Sequence, residues 1–236
     1  MAETTTKSAG STTKSGSRTA LYIVIGVIVA AALVGWAIVM FRGGGSGEKV
    51  AGTYSTAVQG SVVVAGKAAP TTVDVYEDML CPICQAFESE YGGDLTKAIN
   101  DGKIQVRYHP VAILNRATKP VGYSQRGANA VLCAAESGFF SAYHDKLYAE
   151  QPKEGSAGLT DQELIDKGNQ VGAPPAFAQC VTSGKHIRAV QVETQRAGGD
   201  VSLRGPGKDS FGTPTVVVNG KWVDRSNDSW LSDITK

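Results

Sequence analysis

Two cysteines two residues apart, Cys81-Pro82-Ile83-Cys84, are the part of this 236-residue chain best equipped for chemistry. They follow an apolar run, Val73-Asp74-Val75-Tyr76, and precede a segment with a helical pattern, Gln85 to Tyr91. A cysteine at a helix start faces unpaired N–H groups and the positive end of the helix dipole, both of which favour its thiolate. Such a pair can pass two electrons by thiol–disulfide exchange. Cys81, nearer the helix start, is the expected attacking sulfur, and Cys84, one turn inward, resolves the mixed disulfide. Pro82 suits the first helical turn because it has no N–H to leave unpaired. Ile83 adds bulk but no side-chain donor for the sulfur.

Two other chemistries fit the same spacing, a zinc ligand pair and an inert structural disulfide. Zinc needs two further ligands, and the remaining cysteines, Cys133 and Cys180, are not themselves paired at metal spacing. His109, His144 and His186 show no shared ligand pattern in the sequence. Exchange is therefore the favoured reading, with no metal and no organic cofactor. His144 reads as an ordinary helix-face residue rather than a proton shuttle, and Phe139, Phe140, Tyr143 and Tyr148 read as core.

A second motif lies far downstream: Gly212-Thr213-Pro214-Thr215, then Val216-Val217-Val218-Asn219-Gly220. Pro214 opens a strand, where a missing N–H is tolerated. Asn219-Gly220 is a two-residue hairpin turn into Lys221-Trp222-Val223.

The elements that must position these motifs follow from periodicity. Val62 to Val64, Thr72 to Tyr76 and Ile104 to Tyr108 are short and β-branched, as strands require. A long helical stretch follows, with segments at Gly127 to Ser137, Phe139 to Ala149, a capping box at Thr160-Asp161-Gln162-Glu163, Pro174 to Val181 and Lys185 to Ala197. A short helix within Asp228 to Lys236 closes the chain. This order predicts an α/β fold, a mixed sheet with helices on both faces. About 130 residues separate Cys84 from Pro214 (214 − 84), so a helical subdomain, at about 115–200, is expected between the two halves. Cys133 and Cys180 both fall in it, 47 positions apart (180 − 133). They form either a second disulfide or two separate buried thiols, and an oxidising compartment favours the disulfide.

Residues 20–41 carry no charge. At 1.5 Å per residue they span roughly 33 Å, enough for a hydrocarbon core of about 30 Å. Lys7, Lys14 and Arg18 precede them, which places the N-terminus in the cytoplasm and the rest outside. The run is too long for a signal-peptide core. The expected organisation is a disordered cytoplasmic tail (1–19), a transmembrane anchor (20–41), a flexible Gly-rich linker (42–59) and one extracytoplasmic domain (60–236). Net charge is +1, with no basic cluster to suggest nucleic acid.

These motifs resemble the DsbA family, specifically the membrane-anchored DsbA-like proteins of actinobacteria. The resemblance runs over about residues 60–225. It is carried by Val73 through Cys84, the segment around Tyr143-His144, Gly212-Thr213-Pro214-Thr215 with Asn219-Gly220-Lys221, and the Cys133 and Cys180 pair. It implies a thioredoxin fold with a helical insert and a cis-Pro loop at Thr213-Pro214 that faces the cysteines and binds substrate. It implies oxidation of reduced, unfolded exported proteins, with Cys81 as nucleophile and Cys84 as resolver. Reoxidation would come from an integral-membrane partner, typically a VKOR-like quinone reductase. A membrane-tethered reductase or isomerase would use the same residues in reverse, and a non-catalytic binding module or chaperone is the rival from another class. One departure stands out. Many relatives place a buried acid six residues before the first active-site cysteine; here that position is Val75, and Asp74 belongs to the opposite face of the strand.

Overall fold

The computed structural model describes residues 50–236. The expected tail, the 20–41 anchor and most of the linker lie outside the described residues. No helix among the described residues is long and apolar enough to cross a membrane.

Six strands form one sheet: β1 (Thr56–Gln59), β2 (Val62–Ala65), β3 (Thr71–Glu77), β4 (Ile104–Pro110), β5 (Thr215–Val218) and β6 (Lys221–Trp222). Their spatial order is β1-β2-β4-β3-β5-β6. Only β3 and β4 run parallel, as they must when a helix crosses between them; all other pairs are antiparallel. β1 corrects the expected linker, because Thr56 to Gln59 pair with β2. The stretch reads as linker because Thr56-Ala57-Val58-Gln59 is too short and too weakly alternating to signal a strand. The partner strand fixes it.

The crossover helix α1 runs from Pro82 to Asn100, well past the expected end at Tyr91. Gly92 and Gly93 each disfavour a helix interior by about 1 kcal/mol relative to Ala. Leu95, Ala98 and Ile99, all buried, outweigh that cost by packing on Val73, Val75, Val106 and Tyr108 of the sheet. Gly92 also leaves room, since a Cβ there would sit 2.9 Å from Glu88 Oε2.

The helical insert comprises α2 (Tyr123–Glu136), α3 (Phe140–Ala149), α4 (Asp161–Gln170), α5 (Pro175–Thr182) and α6 (Ile187–Gly199). Thr160 and Glu163 make the expected reciprocal capping box on α4. Phe140, Tyr143, Leu147 and Tyr148 of α3 are buried as the helical spacing predicts. α6 covers the second face of the sheet, where Ala197 packs with Tyr76, Val111 and Val217. A short α7 (Trp230–Ile234) closes the chain, with Trp230 stacked beside Phe87 of α1. Asn219 (φ 49°) and Gly220 (φ 80°) make the β5–β6 turn, both in the left-handed region such a two-residue loop demands.

Candidate active site

The site forms where β3 ends, α1 begins and β5 begins. The register sets Tyr76 against Thr215, so the residues preceding Thr215 lie beside the turn that leaves β3. Cys81 is the N-cap of α1 and Pro82 opens its first turn. The Thr213–Pro214 bond is cis, and Cys81 Sγ lies 3.4 Å from the Thr213 carbonyl oxygen. A residue 132 positions away in sequence therefore touches the expected attacking sulfur.

The insert holds this turn from the other side. Gln151 Nε2 donates to the carbonyls of Met79 and Cys81, both at 3.1 Å, and Gln85 Nε2 donates to the Tyr148 carbonyl at 2.6 Å. Asp78 is fully buried, and its two oxygens accept from the Leu80 and Leu114 N–H groups at 2.9 Å each. Ile83 stands 59% exposed between the cysteines, an apolar surface on the outer rim.

Cys81 and Cys84 are both free thiols, and their environments push them apart. The Cys84 thiol donates toward Cys81, and this bond is the main reason the Cys81 thiol falls to a pKa of about 6; partial burial opposes it, while the Thr213 hydroxyl and the N–H groups of Cys84 and Ile83 assist. Thr213 Oγ1 is buried and acts on both sulfurs. Burial, then the bond to Cys81 and the Cys81 charge, push the Cys84 thiol well above the usual range. The pair thus couples a ready thiolate to a reluctant one, as exchange requires.

Beneath Cys84 lies a charged cluster that sequence patterning does not reveal. Glu88, one helical turn beyond Cys84, reaches His144 Nδ1 at 3.9 Å, while His144 Nε2 bonds Glu77 Oε1 at 2.7 Å. Tyr148 donates to Glu77 Oε2 at 3.2 Å. Burial drives the Glu88 carboxyl up to about 8. Burial also pulls His144 down, but the Glu77 and Glu88 carboxylates outweigh it and raise His144 to about 9. Burial raises Asp78 to about 6, against the two N–H groups it accepts. Val75, as expected, carries no acid into the core; Glu77, Asp78 and Glu88 supply the buried acids instead. His144 is correspondingly no ordinary helix-face residue. Glu77, Glu88 and His144 hold donor atoms within 4.8 Å of one another, as a metal site would need. His144 Nε2 is already bonded to Glu77 Oε1, and the cluster reads as an ion-paired network.

Asp74 does point to the opposite face. There His109 bridges Asp74 Oδ1 (2.9 Å) and Glu193 Oε1 (2.8 Å), with Arg107 paired to Asp74 and Arg196 to Glu193. Tyr76 stacks on His109 at 4.1 Å and meets Phe211 edge-on, so this network backs the loop leading to Pro214. Cys133 and Cys180 are joined as a disulfide between α2 and α5, with a Cα–Cα distance of 5.8 Å.

Comparison with known proteins agrees with this geometry. A family model described as thioredoxin matches residues 57–234. The serine/threonine-protein kinase PknE of Mycobacterium tuberculosis is 30% identical over 177 residues, covering 72% of this chain. This chain spans only 31% of that kinase's length. Among solved structures, the MdbA thiol–disulfide oxidoreductase of Corynebacterium diphtheriae is 25% identical with a TM-score of 0.68, covering 80% of this chain and 96% of MdbA. Reduced DsbA of M. tuberculosis is 25% identical with a TM-score of 0.60, covering 78% and 92%. Reduced DsbG of the same organism is 25% identical with a TM-score of 0.60, covering 79% and 89%. With its CxxC at a helix start, its cis-proline loop and a helical insert on a thioredoxin-type sheet, the chain belongs to the DsbA family of thiol–disulfide oxidoreductases.

Proposed function

We propose that this oxidoreductase is a membrane-tethered oxidase that donates the Cys81–Cys84 disulfide to reduced, unfolded exported proteins. The observation that carries the direction is the contrast between the two thiols. A Cys81 pKa of about 6 leaves the reduced enzyme mostly as thiolate at neutral pH. Ionisation about tenfold in favour of thiolate is worth at most about 1.4 kcal/mol, or about 30 mV toward an oxidant. Solvent reaching the partly open sulfur reduces that figure.

The steps balance as follows. A substrate thiolate attacks Cys81 Sγ of the oxidised pair, the Cys81–Cys84 bond breaks, and its electron pair leaves on Cys84. Because burial makes Cys84 a strong base, it takes a proton at once. The substrate's second thiolate then attacks its own mixed-disulfide sulfur, releasing Cys81 as the stabilised thiolate. Thr213-Pro214 and the exposed Ile83 form the surface that receives the substrate chain. The enzyme ends as the dithiol and must be reoxidised.

The uncharged 20–41 run supports a single-pass anchor with the catalytic domain outside. Reoxidation is assigned to an integral-membrane partner such as a VKOR-like quinone reductase. The Cys133–Cys180 disulfide fits an oxidising compartment. Mixing the oxidised protein with a reduced, unfolded protein of known disulfides tests the direction. Rapid gain of substrate disulfides with stoichiometric reduction of Cys81 and Cys84 is expected. Preferential reduction of oxidised substrate by the dithiol form would favour the reductase or isomerase reading.

A further inference from the structure

Around the Cys133–Cys180 disulfide stand two further groups that exchange chemistry does not use. His186 caps α6, and its backbone N–H donates to Asn129 Oδ1 at 2.8 Å, which fixes its place in the buried seam between α2 and α6. The His186 side chain is only 8% exposed, and Nε2 has no hydrogen-bond partner among the described residues. A ring nitrogen of His186 and the sulfurs of Cys133 and Cys180 lie within 4.8 Å of one another. Glu136, one turn along α2 from Cys133, brings Oε2 to 3.3 Å from His186 Nε2, off the axis a hydrogen bond needs, and to 3.9 Å from Cys180 Sγ. A buried imidazole nitrogen without a bond is costly, and here it faces two sulfurs and a carboxylate.

We propose that Cys133, Cys180, His186 and Glu136 form a latent zinc site that opens when the disulfide between them is reduced. The donor set is two thiolates, one imidazole and one carboxylate, all ligand types zinc takes in tetrahedral sites. With Zn–S bonds near 2.3 Å the two sulfurs would stand roughly 3.8 Å apart, a separation reached by rotating the side chains about a fixed backbone. Cys180 is half-buried, which gives a reductant a way in. A dithiol transfers two electrons and two protons to the Cys133–Cys180 bond and is itself oxidised to a disulfide. Zinc then displaces the two thiol protons to solvent and binds the thiolates, His186 Nε2 and Glu136. Lys185, exposed and paired to Glu136 Oε2 at 2.7 Å, moves into solvent as the metal takes that oxygen. The metal would restore, in the reduced protein, the link between α2 and α5 that the disulfide otherwise supplies.

The test uses the full chain in detergent with Cys81→Ser and Cys84→Ser, which leaves Cys133 and Cys180 as the only thiols. After reduction by a phosphine, zinc or cobalt(II) is titrated, with far-UV circular dichroism followed in parallel. About one equivalent of zinc should bind, cobalt should show thiolate charge-transfer and tetrahedral d–d bands, and the oxidised protein should bind neither. His186→Ala should weaken binding at least about tenfold. If reduction alone unfolds the insert, zinc should restore its helical signal. No uptake by the reduced protein, failure of zinc to refold an unfolded one, or unchanged affinity in both His186→Ala and Glu136→Gln would overturn the proposal.

Discussion

The chain holds two cysteine pairs, and their surroundings give them opposite characters. Cys81 and Cys84 sit three positions apart at a helix start, facing a loop from the far end of the sequence, and remain free thiols. Cys133 and Cys180 sit 47 positions apart on two packed helices and are joined. Around the first pair the fold supplies backbone N–H groups at the helix start and the Thr213 hydroxyl, which adjust the protonation of the thiols. Around the second stand His186 and Glu136, and its bond ties α2 to α5. The same residue type is a reagent where charge is tuned and a clamp where chain entropy is removed.

The sharpest way to break this comparison is to exchange the roles by mutation. Cys81→Ser should lower turnover of a reduced two-cysteine peptide to the uncatalysed rate. Replacing Cys133 and Cys180 by Ser together should leave turnover nearly intact. Comparable losses from both would dissolve the distinction.

Stability should respond in a different pattern. His144→Ala leaves Glu77 as a buried, unpaired charge, and denaturant unfolding should show a loss of about 3–5 kcal/mol. Removing the Cys133–Cys180 bond releases a 47-residue loop and should cost about 4 kcal/mol on the chain-entropy model. A much smaller loss in the second case would mean that packing, not the crosslink, holds α2 to α5.

The charges near the first pair also predict a pH slope. His144, at about 9 in the folded protein against the usual 6.5, and Glu88, at about 8 against 4.5, keep protons that the unfolded chain releases. Their contribution is full below the unfolded values and is lost as pH rises through the folded ones. Cys81, lowered to about 6 from 9.0, has the opposite sign and offsets one of the two. His109, buried but raised above 6.5 by its bonds to Asp74 and Glu193, adds to the first two, so stability should fall as pH rises between roughly pH 6.5 and 8. Glu88→Gln should flatten that slope. A stability that rises across this window would contradict the protonation states assigned to the cluster. The smallest effect is expected from Thr213→Ala, which removes a hydroxyl facing both sulfurs. The pH midpoint for alkylation of Cys81 should rise by less than about one unit, since several other donors remain.

Much of this was legible in the sequence because it depends on local pattern. The helix start at Pro82, the capping box at Thr160 and the hairpin at Asn219-Gly220 each need only a few neighbouring residues. β1 was not legible, since Thr56 to Gln59 become a strand only through pairing with β2. The extent of α1 was hidden by Gly92 and Gly93, whose propensity cost is overcome by packing that no local window contains. At the site, the cysteines and the proline loop announce themselves by motif. The Glu77–Glu88–His144 cluster does not, because residues from β3, α1 and α3 meet only in three dimensions. Burial was the missing signal for His144: alternation in β3 separates Asp74 from Val75, but nothing in the sequence says that Glu77 and His144 face each other.

The reduction potential of the Cys81–Cys84 pair tests the central claim most directly, measured on the full chain in detergent by equilibration with glutathione buffers and alkylation of free thiols. A value of roughly −120 to −180 mV is the range of known disulfide donors and isomerases, and is the result this account predicts. A value near roughly −270 mV, like that of thioredoxin, would contradict it and make the chain a tethered reductase.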